Sequence, residues 1–335
     1  MAIKDLIKRK DHNKEFDSEF DTKIKNLFSS QKIEWELCGN NYSALDQVKL
    51  KEIPFDGFSI HVQYNPKRII STSANMNEEA IKNRECFLCN TPPEQKRVPF
   101  NKQFDLLVNP YPIFNEHYTI IKKKHQPQTI IGNFETFLDL TKSMGKDYTV
   151  FYNGPRCGAS APDHTHFQAG SSNKIPIEND FDLVVTSLSN KIYFDSKINI
   201  YAIEKYLRRM IAMESGSKGD LLFAYKLFVD AFKRISIPKD EPMMNILSWY
   251  RDNKWRIVFI PRRKHRPDSY FEEGNDQLMI SPAAIDLGGL IITPRQREFD
   301  LLNRELVTEI YREVTLTTEH FEYLKNRIVT NILSR

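Results

Sequence analysis

The segment "CGASAPDHTHFQAG", Cys157 to Gly170, sets His164, His166 and Gln168 at every second position behind a run of small residues. On a strand, successive side chains take opposite faces, so these three would share one face at roughly 7 Å per step of two, with Thr165 and Phe167 on the other. Three polar groups on a buried face carry a desolvation cost unless metal, phosphate or water meets them. Imidazole suits the first two partners. Its neutral form ligates metals, and with a reference pKa of about 6.5 much of it is unprotonated near neutral pH and able to attack phosphorus. Such an attack splits a nucleotidyl transfer into two steps through a covalent nucleotidyl-histidine. Gln168 can donate to a phosphoryl oxygen without adding net charge. Upstream, Gly158, Ala159, Ser160 and Ala161 admit a ligand close to the backbone and supply a hydroxyl and amide donors.

Cys86 and Cys89 form a CxxC pair, and with any two of the remaining histidines they would complete a tetrahedral Cys2His2 zinc site. If His164 takes the metal, His166 is left as the nucleophile. The other two cysteines, Cys38 and Cys157, read as small buried residues, and four cysteines in 335 residues are no disulfide scaffold.

These residues need a frame. Alternating runs at Phe58 to Tyr64, Phe104 to Val108, His117 to Ile121 and Tyr148 to Asn153 predict antiparallel strands, with a helix over Gly132 to Lys146. "KYLRRMIAMESG" and "GDLLFAYKLFVDAFKRI" read as helices, and "MMNILSWYRDNKWRIVFIPRRKH" as a hairpin turning at Arg251 to Lys254, with Trp249 and Trp255 as packing residues. Residues 1–57 read as an N-terminal helical extension without chemistry, and 298–335 as two amphipathic helices. An echo between "IIKKKH" (120–125) and "FIPRRKH" (259–265) hints at two similar halves.

Composition narrows the partners. The net charge is +4, from 48 basic and 44 acidic residues, which is too small and mixed for general nucleic-acid binding. No apolar run reaches membrane-spanning length and the N-terminus lacks a signal-peptide core, so a cytoplasmic protein is expected. The cluster Arg262, Arg263, Lys264 and His265 suits a leaving phosphate or sugar phosphate, since guanidinium groups match phosphate geometry.

"HTHFQ", extended back through "NGPRCGASAPD", resembles the HxHxQ signature of the galactose-1-phosphate uridylyltransferase branch of the histidine triad superfamily, which includes diadenosine tetraphosphate and GDP-hexose phosphorylases. "ECFLCN" is similar to the zinc segment of the uridylyltransferases, and "NPYPIFNEHYTIIKKKH" to the nucleotide-facing loop and strand of histidine triad proteins. The layout as a whole resembles a family labelled DUF4922. That resemblance implies an α+β fold: an antiparallel sheet of two histidine-triad-like halves with helices packed outside, a catalytic half at 58–180 and a second half at 181–335. It implies Cys86, Cys89, His125 and His164 as zinc ligands, with His117 an alternative to His125. His166 would be the nucleophile, with Gln168, Ser160 and Asn153 on the phosphate. The base and ribose would lie near Asn109, Tyr111 and Ile113, with Asn65, Arg68 and His117 as further substrate contacts and Arg262 and Lys264 at the leaving phosphate. The reaction implied is transfer of a nucleoside monophosphate from a nucleotide sugar or dinucleoside polyphosphate, and pairing into a homodimer is common in such proteins. Thr165 stands where the uridylyltransferases have proline, which favours the phosphorylases. The other readings are hydrolysis of a nucleotide and a nucleotide sensor without turnover.

Overall fold

The computed structural model describes residues 3–69, 81, 83–237 and 241–334, with side chains from residue 19 onward. The tail of "QYNPKRIISTSA", residues 70–74, lies outside them. The chain opens with α1 (Ile3–Glu34) and α2 (Glu36–Ser43), followed by β1 (Lys49–Pro54), β2 (Ser59–Tyr64), β3 (Arg97–Pro99), β4 (Phe104–Val108) and β5 (His117–Lys122). Next come α3 (Phe134–Met144), β6 (Tyr148–Asn153), β7 (His166–Ser171) and α4 (Pro176–Ser187). The second half runs β8 (Ser189–Phe194), β9 (Ile198–Tyr206), β10 (Arg208–Ser215), α5 (Lys218–Phe232), β11 (Met244–Arg251) and β12 (Lys254–Pro261). It closes with α6 (Ala284–Leu287), β13 (Leu290–Thr293), α7 (Gln296–Leu301), α8 (Arg304–Val314) and α9 (Thr318–Leu333).

Ten strands make one antiparallel sheet in the order β3-β4-β5-β7-β6-β11-β12-β10-β9-β8. Read from each outer edge inward, the strands occur as third, fourth, fifth, seventh, sixth and as eighth, ninth, tenth, twelfth, eleventh: the same path twice, meeting at β6 and β11. Each path also inserts its helix, α3 or α5, at the same step. The two expected halves are therefore present, but the "KKKH" and "RRKH" echo is misaligned. It couples the end of β5 to the end of β12, whereas the topology matches β5 to β10 and β7 to β12. A basic exit from a strand recurs by chance and carries no register.

One sheet face packs against α1, α3, α5 and α9, and the other against α4, α6, α8 and a small sheet in which β13 joins β2 in parallel and β1 flanks it. Helices thus cover both faces. Two further expectations fail locally. Residues 205–216 belong to the β9–β10 hairpin, turning at Leu207 with φ 61°. β10 lies inside the sheet and is buried on both faces, so its near-continuous apolar run resembles a helix segment. The N-terminal extension also contains a strand, β1.

Register is firmest at β7. Phe167 and Ala169 enter the helix-side core, where Phe167 stacks on Phe104 at 5.4 Å and meets Phe137 edge-on at 5.3 Å. Burying such a ring is worth about 2–3 kcal/mol, and a slip of one residue would exchange it for His166 or Gln168. Across β7, Gly170 leaves room for the Phe114 ring: a Cβ there would lie 2.1 Å from Cδ2. Gly170→Ala is expected to lower unfolding stability by about 1–3 kcal/mol in urea titration, through displacement of the Phe114 loop.

A buried acid sets a pH dependence. Glu178 in the first turn of α4 accepts the Asn173 N–H at 2.5 Å, and burial raises its pKa from 4.5 to about 7. Between those values the folded chain holds a proton that the unfolded chain releases. Stability should therefore fall as pH rises through this window and level off above it, by on the order of 3 kcal/mol. Glu178→Gln, titrated in parallel, should lose that slope.

Candidate active site and metal centre

The CxxC pair sits in a tight turn, with the Cys89 and Asn90 amides both donating to the Cys86 carbonyl at 3.1 and 3.0 Å, so the two sulfurs emerge together. β5 and β7 are antiparallel neighbours, so the exit of β5 toward His125 meets the approach to β7 at His164. Cys86 Sγ and Cys89 Sγ each lie 3.3 Å from His164 Nδ1, and Cys89 Sγ lies 3.3 Å from His125 Nδ1. All four ligand atoms fall within 4.8 Å of one another, a group able to hold a metal ion. Tetrahedral zinc with bonds of about 2.0–2.3 Å sets such atoms about 3.5 Å apart, so the donor set and its spacing both fit. His164 is also oriented from behind: its Nε2–H donates to the Lys122 carbonyl at 2.6 Å, which leaves Nδ1 as the nitrogen able to ligate. Asp163, bridged to Arg84 at 2.7 Å, ties the cysteine segment to the same turn.

His164 itself lies just before β7, its amide bonded to the Ala161 carbonyl, so the expected three-residue face reduces to His166 and Gln168. The metal-side turn takes the place of the ladder there. His166 is 3% exposed and fixed by three backbone contacts: its amide donates to Gln128 Oε1, its carbonyl accepts from Gln128 Nε2, and its Nδ1–H donates to the His164 carbonyl at 2.8 Å. That last bond selects the tautomer with a lone pair on Nε2, which has no hydrogen bond among the described residues. Burial lowers the His166 pKa to about 4.

Gln168 is oriented by His117. Burial brings the His117 pKa down to about 3, with Arg68 adding to the shift, so the ring is neutral. Its Nδ1 accepts the Ile113 amide at 3.3 Å, and its Nε2–H therefore donates to Gln168 Oε1 at 2.9 Å. The Gln168 amide is thereby turned with its NH2 free to donate.

His166 and Gln168 line a cavity of about 620 Å³. Of the residues expected from sequence, Ser160, Asn153, Asn109, Tyr111 and Arg68 line it as well. Asn109 bonds Thr119 Oγ1 and the Tyr111 amide, and Tyr42 and Asn41 of α2 brace its loop through the Asn109 and Pro110 carbonyls. Four of the expected residues lie outside this lining. His117 is fully buried and positions Gln168 instead of lining the cavity. Asn65, 2% exposed, spends its amide on Gln63 and the Pro112 carbonyl. Arg262, also 2% exposed, donates to Asn245 and to the carbonyls of Pro282, Lys264, His265 and Val314, so it knits loops together. Lys264 pairs at the surface with Asp268 and Glu313.

The cavity also holds residues the sequence reading passed over: Arg266, Asp286, Arg84 and Phe87, together with Trp35 and Leu37 from the supposedly inert N-terminal helices. Burial raises the Asp286 carboxyl to about 6. Only Arg266 had a signal, in the basic "RRKHR" run.

Residues 27–171 match the family described as a domain of unknown function, DUF4922, and residues 184–335 match the GDPGP1-like C-terminal domain. No curated protein sequence matches the chain. Among solved structures, yeast Ap4A phosphorylase Apa2 in complex with AMP superposes with a TM-score of 0.57 at 16% identity, over 84% of this chain and 95% of that one. The same enzyme in complex with Ap4A gives 0.54 at 16% identity, over 84% and 97%. The fold is theirs. Over most of its length the chain is thus similar to these two families in tandem, a DUF4922 segment followed by a GDPGP1-like C-terminal segment.

Proposed function

We propose that the protein is a nucleotidyltransferase of the phosphorylase type, moving a nucleoside monophosphate onto inorganic phosphate or a sugar phosphate by way of a nucleotidyl-histidine at His166. The observation that carries this reading is the wiring of His166: Nδ1–H bound to the His164 carbonyl at 2.8 Å, in a buried residue that lines the cavity. A neutral imidazole so held presents Nε2 as a nucleophile and cannot offer it as an acid. In the first step the Nε2 lone pair forms a bond to the α-phosphorus while the bond to the bridging oxygen breaks, and the leaving phosphate departs with those electrons. In the second, an acceptor oxygen bonds to phosphorus, the N–P bond breaks, and the lone pair returns to Nε2.

The other groups take roles that follow from their chemistry. The Gln168 NH2, aimed by His117, and the Ser160 hydroxyl donate to the non-bridging oxygens, where charge shifts as the phosphorus changes partners. Asn109 and Tyr111 hold the nucleoside, with Leu107, Trp35 and Leu37 as apolar walls for the base. Dinucleoside polyphosphates head the donor list because the yeast neighbour carries that substrate class in its name and binds AMP and Ap4A. Nucleotide sugars come second. Two thiolates and two imidazoles suit zinc, held by Cys86, Cys89, His125 and His164. Bound there, zinc is a structural clamp on the turn before β7.

Incubation with α-32P-labelled nucleotides should place up to one nucleotide per chain in an acid-labile, alkali-stable linkage, and His166→Ala should abolish both the label and at least about 10³-fold of turnover. Label that survives in His166→Ala would remove the nucleophile from this residue. Gln168→Ala and His117→Ala are each expected to slow turnover by about a hundredfold. Metal analysis should find one zinc per chain, retained in His117→Ala and lost in Cys86→Ser together with much of the stability.

A further inference from the structure

The far wall of the cavity belongs to the second half of the chain, and its cation is Arg266. Three guanidiniums line the cavity: Arg68, Arg84 and Arg266. Arg84 is neutralised by Asp163 and stacks on Phe87 at 4.8 Å, and Arg68 lends Nη1 to the Tyr111 carbonyl at 2.7 Å. Arg266 differs. Its guanidinium lies 4.1 Å over the Tyr270 ring and its Nε donates to Ser281 Oγ at 2.9 Å, while no carboxylate comes within ion-pair distance among the described residues. Its plane is thus held from one side and along one edge, and among the described residues neither terminal nitrogen has a hydrogen-bond partner.

The anchor of Arg266 is fixed to the nucleophile's half. Ser281 begins the segment that passes over Gly158, where Ala283 lies so close that a Cβ on Gly158 would come within 2.7 Å of it. One residue on, the Ala284 amide donates to Asn153 Oδ1 at 2.8 Å. Gly158 precedes Ser160 by two residues, and Asn153, Ser160 and His166 share the same cavity. The tether thus runs from Arg266 to the small-residue turn beside His166. A planar guanidinium held in place without its own anion, in a partly desolvated pocket, is a fork for a phosphate monoester or for orthophosphate.

The geometry points to Arg266 as the binding residue for the phosphate that leaves in the first step and, in the same place, for the phosphate that accepts in the second. This rests on the nucleotidyl-His166 reading and adds to it the location of the acceptor. In the second step an oxygen of the phosphate held by Arg266 forms the new P–O bond as the N–P bond to Nε2 breaks. Water can take the same place, but gains nothing from the fork.

The test isolates nucleotidyl-enzyme and follows its discharge by orthophosphate and by water in separate single turnovers. In Arg266→Gln the ratio of phosphate to water discharge should fall by about a hundredfold, the loss of two charge-assisted hydrogen bonds. Arg266→Lys, which keeps the charge without the fork, should recover part of it. Ser281→Ala, which frees only Nε, should lower the ratio by about tenfold. An unchanged ratio in Arg266→Gln, or a matched fall in both discharges, would overturn the assignment. A wild-type enzyme that turns over without forming nucleotidyl-enzyme would instead overturn the reading beneath it.

Discussion

The register of β7 against β5 and β6 governs the rest of the site. With Phe167 and Ala169 committed to the helix-side core, His166 and Gln168 have one place to go, the opposite face. The ring contacts of Phe167 with Phe104 and Phe137 resist a slip along the strand. At the start of β7 the ladder gives way to a turn that the Cys86, Cys89, His125 and His164 cluster clamps, and the His164 carbonyl leaving that turn accepts the Nδ1–H of His166. Core packing, a cluster able to hold a metal and the tautomer of His166 thus meet within five residues.

The same device recurs at three histidines. His164 gives one nitrogen to the Lys122 carbonyl and turns the other to the cluster; His166 gives one to the His164 carbonyl and turns the other to the cavity; His117 accepts from the Ile113 amide and donates to Gln168. Burial lowers the pKa of all three, and each ring stays neutral with a defined proton. A backbone group fixes each tautomer, so no extra charge is needed to hold a reactive ring.

The chemistry was more legible than the frame around it. "HTHFQ" and CxxC announce themselves because few other residue types could serve, and the structure brings Cys86, Cys89, His125 and His164 into one group. The β9–β10 hairpin was illegible because burial on both faces erases alternation. Arg262 and Lys264 were chosen for type alone, and sequence does not say which of five neighbouring basic side chains turns inward. One is consumed by carbonyls, another by surface carboxylates, and His265 and Arg266, at the end of the run, line the cavity. Asp286, Trp35 and Leu37 reach the site from far along the chain, through contacts that no local pattern encodes.

Duplication also divides the labour between halves. β7 and β12 occupy matching places in the two strand paths, yet β12 reads "KWRIVFIP" and carries no histidine, so one half brings His166 to the cavity while the other brings Arg266 and the 281–284 segment. A double displacement at phosphorus through His166 dictates a stereochemical course. A donor made chiral at its α-phosphorothioate should yield product with retained configuration, the sum of two inversions. Inverted configuration would mean that the acceptor attacks the donor directly, and that His166 is not the nucleophile.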